Sequence, residues 1–191
     1  MKGLVMKPRN EHSILNFIGI ADCITLAGVL AACYSIYASL SEQFVLASLL
    51  IIFSITCDFF DGMVARKLGQ EGPFGVALDG FNDFLTYLLA ITVFAYSAGL
   101  NTPIAIGCLC VFVLFGTMRL ARYSVTGTVD GCYEGLPVSY ITAILPLYFI
   151  LKATGLPLEW LLPVFVLPSF LMVSTIRIKK PFYKKNAAVS S

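Results

Sequence analysis

The sequence predicts an all-α integral membrane protein with six transmembrane helices. Of its 191 residues, 58% are hydrophobic and only 13% are charged, whereas soluble domains carry about 25% charged residues. Apolar runs long enough to cross a bilayer, which takes about 20 residues, recur along the chain. These runs are too long and too unalternating for barrel strands, so helices are expected to satisfy their backbone hydrogen bonds.

Six apolar segments define the predicted helices. They cover residues 14–38, 44–60, 76–98, 103–121, 137–153 and 160–176. Gly and Pro mark several of the short connections, at 99–103, 127–135 and 155–157. No separate soluble segment and no internal repeat interrupts this pattern, so residues 1–191 are predicted to form one six-helix domain.

The basic residues predict the orientation of these helices. With six spans, both termini and the connections after the second and fourth spans share one side of the membrane. That side holds 12 of the 13 Lys and Arg residues, and the other side holds only Lys152. Because basic residues concentrate in cytoplasmic segments, both termini are expected in the cytoplasm.

Four aspartates fall within 26 residues of this apolar chain, at the predicted cytoplasmic ends of the second and third spans. Asp58 and Asp61 are three residues apart, and Asp79 and Asp83 are four apart. Each pair therefore shares one face of a helix. The glycine-rich segment 69–75 predicts a turn that folds the two helices into an antiparallel pair. All four carboxylates are then expected to face one another.

Divalent cations would offset the repulsion among these carboxylates. Carboxylate and water oxygens suit Mg²⁺, Mn²⁺ or Ca²⁺. Zinc is disfavoured because His12 is the single histidine and the six cysteines are scattered. Gly62 and Gly75 leave room for a ligand, and the planar fork of Arg66 can hold a phosphate. The residues thus indicate a metal-dependent site for a phosphorylated substrate; the alternative is solvated helix-end charges paired with Arg66 and Lys67.

The spacing of these residues resembles a known signature. The pattern Asp58-x2-Asp61-Gly62-x2-Ala65-Arg66-x8-Gly75-x3-Asp79-x3-Asp83 is similar, without a gap, to that of the CDP-alcohol phosphotransferase family. In that family a CDP-linked donor loses CMP while its phosphoryl-bearing group passes to an alcohol. The resemblance implies the CDP-alcohol phosphotransferase fold and a homodimer, and no nucleic-acid partner is expected.

The resemblance also implies a role for each residue of the signature. Asp58, Asp61 and Asp79 would ligate two divalent cations, Mg²⁺ or Mn²⁺. Asp83 would add to the metal site and act as general base towards the acceptor hydroxyl. A position lining the CDP pocket is implied for Gly62, Ala65, Arg66 and Gly75.

Three further stretches resemble the branch of that family whose acceptor is serine. They are residues 119–123 (RLARY), 134–139 (EGLPVS) and 171–180 (LMVSTIRIKK). The implied function is phospholipid biosynthesis at the cytoplasmic face of the cell membrane, by transfer of a phosphatidyl group from CDP-diacylglycerol to L-serine. Arg119 and Arg122 share a helix face and are candidates for binding the serine carboxylate or a donor phosphate. Their alternative role is to anchor the cytoplasmic side.

The identity of the acceptor and the role of Asp22 are not decided by these motifs. Residues 125–133 (VTGTVDGCY) match no stretch of the serine branch. Glycerol 3-phosphate, inositol phosphate or choline as acceptor, or an archaeal ether-lipid donor, is therefore the nearest alternative. A cation transporter is more distant, because the acids gather at one membrane edge. Asp22 lies within the first span as a functional candidate, either paired with a buried Arg or in contact with the nucleotide.

Overall fold

The computed structural model describes residues 18–70, 72–126, 132–174 and 177–179, and these form a helical bundle with one short ribbon. The helices are α1 (Ile20–Leu40), α2 (Phe44–Leu68), α3 (Pro73–Asp83), α4 (Ile91–Ser97), α5 (Pro103–Thr126), α6 (Ile144–Thr154) and α7 (Leu162–Val173). A π-helical turn, Phe84–Ala90, joins α3 to α4 in one continuous rod. Short 3₁₀ turns, Val138–Ala143 and Leu158–Leu161, lead into α6 and α7.

These helices form six apolar rods, as the sequence predicts. Within the described residues, four rods are long and apolar enough to cross a membrane, namely 20–40, 44–68, 73–97 and 103–126. The last two, Val138–Thr154 and Leu158–Val173, are apolar but shorter. The chain is a multi-pass membrane protein.

The boundaries of the second and third rods differ from those predicted. The second span was expected to end at residue 60, but α2 continues to Leu68. Asp61 lies inside α2 with its side chain buried, so this charged residue does not mark the end of the helix. Gly69, at φ 63°, closes α2 with a left-handed cap. The third rod begins at Pro73, a residue suited to the first helical position. Residues 14–17 and 175–176 of the predicted outer spans lie outside the described residues.

Small side chains let α1 and α2 approach each other closely. The buried residues of α1 are Ala21, Thr25, Gly28, Ala31, Ala32, Ser35, Ala38 and Ser39. A Cβ on Gly28 would come within 3.1 Å of the Cys57 Cβ. Close backbone approach through small residues is a common way to pack helices in a membrane. This packing brings the start of α1 beside the acidic end of α2.

A two-stranded antiparallel ribbon links the connection after α5 to the segment after α7. Strand β1 (Cys132–Glu134) pairs with β2 (Arg177–Lys179), with Tyr133 opposite Ile178. The sequence pattern did not predict it, because the last apolar span was expected to continue to residue 176 as a helix. The ribbon therefore adds a small strand element to a fold predicted as all-α.

Candidate metal and substrate site

Three of the four aspartates come together between α2 and α3. One carboxylate oxygen each from Asp58, Asp61 and Asp79 lies within 4.8 Å of the other two. Asp61 is buried, while Asp58 and Asp79 are half-buried. Two antiparallel helices supply these groups, so their separation is fixed by helix packing. Acidic oxygens grouped in this way can hold a divalent cation.

Asp83 lies one helical turn beyond Asp79 and outside that group of three. It is half-buried, and it interacts electrostatically with Asp79 and with Arg119. It therefore lies beside the carboxylate group, at the end of α3 that leads into the π turn. Its participation in a metal site stays a prediction.

Two hydroxyl groups hold two of the carboxylates. Thr25 Oγ1, from α1, donates to Asp61 Oδ2. Tyr87 Oη, from the π turn, donates to Asp58 Oδ2 at 3.2 Å. Neither residue was predicted to belong to the site. Thr25 lies 36 positions from Asp61 and carries no local signal, whereas Tyr87 follows Asp83 by four positions and so could have been found from helical spacing.

A buried polar layer lies one helical turn deeper than the carboxylates. Ser54 Oγ and Thr86 Oγ1 are 2.7 Å apart, and Thr86 Oγ1 donates to Asn82 Oδ1 at 3.3 Å. Asn82 is 0% exposed. Its Nδ2 has no hydrogen-bond partner among the described residues. Polar groups thus continue inward from the carboxylates across α2, α3 and the π turn.

The residues predicted to line a CDP pocket lie in the segments next to the aspartates, at the end of α2 and the start of α3. Gly62, Ala65 and Gly75 are half-buried, and Arg66 is exposed. Among the described residues outside the backbone of its own helix, a Cβ on Gly62 would meet only the Arg66 guanidinium, at 3.7 Å from Nη1. The missing side chain at Gly62 is therefore not required by the protein's own packing, which leaves that face available to a ligand.

Asp22 lies next to these segments, at the start of α1. Its Oδ2 accepts a hydrogen bond of 2.8 Å from the Gly19 N–H, which satisfies one of the amides at the helix start. Its Oδ1 would be 3.1 Å from a Cβ on Gly75. Asp22 therefore caps α1 and faces α3, at the same end of the bundle as Asp61.

Arg119 and Arg122 differ in their surroundings despite sharing a helix face. Arg119 is 7% exposed, lies over the Tyr123 ring at 5.4 Å and interacts with Asp83. Arg122 Nη2 donates to Met172 O at 2.9 Å, and its Nη1 donates to Ser174 O at 3.4 Å. Arg122 thus caps the end of α7, while Arg119 lies close enough to Asp83 to interact with it electrostatically.

The opposite end of the bundle holds a cavity of about 390 Å³. Glu42, Phe44, Tyr148 and Lys152 are among the residues that line it. Since Glu42 precedes α2 and the carboxylates lie in the other half of that helix, this cavity is separate from the acidic site.

Comparison with known proteins identifies the family of this chain. A sequence profile of the CDP-alcohol phosphatidyltransferases matches residues 18–177. The chain belongs to the CDP-alcohol phosphatidyltransferase family. The family indicated by the aspartate signature is thereby confirmed, and this CDP-alcohol phosphatidyltransferase is a membrane transferase.

Several curated proteins are similar to this CDP-alcohol phosphatidyltransferase over most of its length. A CDP-diacylglycerol–serine O-phosphatidyltransferase of Bacillus subtilis is 34% identical over 167 residues, which cover 86% of this chain and 91% of that protein. An enzyme of the same name from Helicobacter pylori is 31% identical over 173 residues, covering 86% of this chain and 72% of that protein. An archaetidylserine synthase of Methanothermobacter thermautotrophicus is 29% identical over 134 residues, covering 68% and 57%.

Proposed function

We propose that this protein transfers the phosphatidyl group of CDP-diacylglycerol to L-serine, giving phosphatidylserine and CMP. The observation that carries the proposal is the group of three carboxylates, Asp58, Asp61 and Asp79, whose oxygens lie within 4.8 Å of one another. The choice of serine is supported by relatives named CDP-diacylglycerol–serine O-phosphatidyltransferase, at 34% and 31% identity.

We also propose that residues 1–191 form a single domain with six membrane spans and both termini in the cytoplasm. The 12 of 13 basic residues assigned to one side support this orientation. In this orientation the active site lies at the cytoplasmic face of the cell membrane. In a cell with two membranes, this is the inner membrane. The donor's acyl chains would remain in the bilayer while its CDP group occupies the mouth between α2 and α3.

The donor set fits a divalent metal. Three acidic groups from two rigid helices repel one another at this separation, and carboxylate oxygens are preferred ligands of Mg²⁺ and Mn²⁺. We expect Asp58, Asp61 and Asp79, with a contribution from Asp83, to hold two such ions. When bound, the ions would neutralise the diphosphate and stabilise the charge that develops on the leaving CMP.

The chain's own residues would orient the donor and move one proton. Arg66 would bind a donor phosphate with its guanidinium. The faces of Gly62, Ala65 and Gly75 would receive the nucleotide. Asp83 would accept the proton of the serine hydroxyl. The serine oxygen then bonds to the β-phosphorus, the phosphoanhydride bond to CMP breaks, and Asp83 later releases the proton to water.

Of the two arginines, Arg119 is better suited to bind the serine carboxylate. It is buried and interacts electrostatically with Asp83, so a serine carboxylate bound to it would bring the serine hydroxyl towards the proposed base. Arg122 instead bonds backbone carbonyls at the end of α7. We therefore propose that Arg119 binds the acceptor and that Arg122 has a structural role at the end of α7.

An ether-lipid donor is the second candidate. The similarity to an archaetidylserine synthase, 29% identical over 134 residues, favours it over a change of acceptor. Glycerol 3-phosphate, inositol phosphate and choline are the other acceptors to exclude. A homodimer is expected from the family resemblance.

The test is a screen of acceptors that measures CMP release. Purified protein in detergent, with Mn²⁺ or Mg²⁺ and CDP-diacylglycerol, should release CMP when serine is added and should form labelled phosphatidylserine. The ether-linked donor is assayed in parallel. Asp61→Asn should abolish release, whereas Glu42→Gln, an acid at the opposite end of the bundle, should retain it. Release of CMP with another acceptor and not with serine would reject the serine assignment. If no acceptor gave metal-dependent release of CMP, the proposed transferase activity would be rejected.

A further inference from the structure

The π turn between α3 and α4 determines which side chain lies beneath the carboxylates. In an α-helix each residue turns about 100° around the axis, so a residue four positions further on lies about 40° past the starting direction. A π turn closes its hydrogen bonds five residues apart and turns less per residue. Residues four apart across a π turn therefore lie closer to the same face. Residues 84–90 form such a turn directly after Asp83. Tyr87 therefore stays near the face of the rod that carries Asp79 and Asp83.

The hydroxyl of Tyr87 reaches across to the neighbouring helix. Its Oη donates to Asp58 Oδ2 at 3.2 Å. Tyr87 is 4% exposed, and a buried phenol needs a hydrogen-bond partner. The ring belongs to the apolar core of the bundle, so that core fixes the point from which the hydroxyl donates.

This hydrogen bond can set the orientation of the Asp58 carboxylate. A carboxylate on a free side chain rotates about its terminal bond, and a fixed donor to one oxygen restricts that rotation. Groups that hydrogen-bond a metal ligand in this way commonly change metal affinity or activity by about 10- to 100-fold when removed. Asp61 is held from α1 by Thr25 in a comparable manner.

We propose that Tyr87 is a positioning residue for the metal site, holding the Asp58 carboxylate in the orientation that binds a divalent cation. The inference rests on the proposed function, since it deepens the account of the same site. Tyr87 acts through Asp58 and does not touch the reacting atoms. The competing explanation is that Tyr87 only fills the core, in which case its ring matters and its hydroxyl does not.

Tyr87→Phe separates these explanations because it removes one oxygen and keeps the ring. The purified full-length protein is titrated with Mn²⁺ alone, without substrates, and free Mn²⁺ is measured by electron paramagnetic resonance. The variant should bind Mn²⁺ about tenfold more weakly than the unchanged protein. The Mn²⁺ concentration that gives half-maximal CMP release should shift by a similar factor, with the KM for serine little changed at saturating Mn²⁺.

Tyr148→Phe is the matched control. Tyr148 is also buried, at 1% exposed, but its hydroxyl accepts from Lys152 Nζ at 3.2 Å, at the opposite end of the bundle. This variant should bind Mn²⁺ as the unchanged protein does. Equal weakening in both variants, or less than a twofold effect of Tyr87→Phe, would overturn the proposal.

The titration also separates this inference from the proposed function. Weaker Mn²⁺ binding by Tyr87→Phe supports the positioning role even if the unchanged protein makes no phosphatidylserine, in which case only the proposed function fails. If the unchanged protein makes phosphatidylserine but Tyr87→Phe leaves Mn²⁺ binding intact, only the positioning role fails. Absence of Mn²⁺ binding by the unchanged protein would reject the positioning role as well.

Discussion

Gly135 occupies a position that no other residue fits without moving the backbone. Its φ is 79°, and a Cβ there would lie 2.3 Å from Met172 O and 2.7 Å from Arg122 Nη2. The first contact is with backbone, which cannot swing aside. This glycine therefore allows the segment that follows β1 to lie against the end of α7.

Gly135→Ala should destabilise the protein strongly. A left-handed backbone costs an alanine about 1–2 kcal/mol, and the clash with Met172 O adds to that cost. Gly155→Ala is the control, because Gly155 has φ 69° and, chain neighbours aside, no atom of the described residues lies within 4 Å of the added Cβ. Thermal unfolding in detergent should show a clearly larger drop for Gly135→Ala. Equal drops would mean that the contact with α7 contributes nothing.

Arg119 and Arg122 should give different defects when each is changed to Gln. Arg119→Gln should raise the KM for serine by tenfold or more, since a hydrogen bond to a charged group contributes about 1.5–3 kcal/mol. Arg122→Gln should lower thermal stability, because the bonds to the carbonyls of Met172 and Ser174 are lost. Steady-state kinetics with serine as the varied substrate, combined with thermal unfolding, measures both. A raised serine KM in Arg122→Gln alone would reverse the assignment.

Among the elements, the π turn is held in place by α5. Gly116 of α5 lies against Leu88, which is 0% exposed, and a Cβ on Gly116 would be 2.4 Å from Leu88 Cδ2. The two rods thus approach closely at the level of the turn. Because Asp83 and Tyr87 border or belong to this turn, the contact also affects the acidic site.

Gly116→Ala should destabilise the protein by about 1–3 kcal/mol through overpacking. Combining it with Leu88→Ala should cost less than the sum of the two single changes, since the alanine at 88 vacates the space that the new methyl group needs. A double-mutant cycle on unfolding free energies measures this coupling. Additive costs would show that the two residues do not press on each other.

The sequence predicted the grouping of the acids more accurately than it predicted the bounds of the helices that carry them. Intervals of three and four residues put each pair on one helix face, and the glycine-rich segment 69–75 predicted the antiparallel turn. The second apolar span was predicted to end at residue 60, where the apolar run stops, whereas α2 continues to Leu68 and buries Asp61. The π turn was not predicted, because residues 84–90 follow the same apolar pattern as the rest of their span. Thr25 could not be found because its partner is 36 residues away.

For the whole molecule, the orientation in the membrane is the property most open to direct test. Lys67 follows the acidic part of α2, and Lys152 lies in the last turn of α6. Both side chains are exposed. In a background with the six native cysteines replaced, Lys152→Cys should react with a membrane-impermeant maleimide in intact cells. Lys67→Cys should react only after permeabilisation, and the reverse pattern would invert the topology.

The carboxylate group has a consequence for the stability of the entire protein. Because the carboxylates of Asp58, Asp61 and Asp79 repel one another at this separation, they lower the stability of the folded state until a cation is bound. A ligand that binds only the folded chain stabilises it by mass action, by about 2.7 kcal/mol at 100 times its Kd. A chelator should therefore lower the unfolding temperature, and Mn²⁺ or Mg²⁺ should restore it. The supply of divalent cation on the side of the membrane that the site faces would then govern how long the protein persists in the membrane, as well as how fast it works.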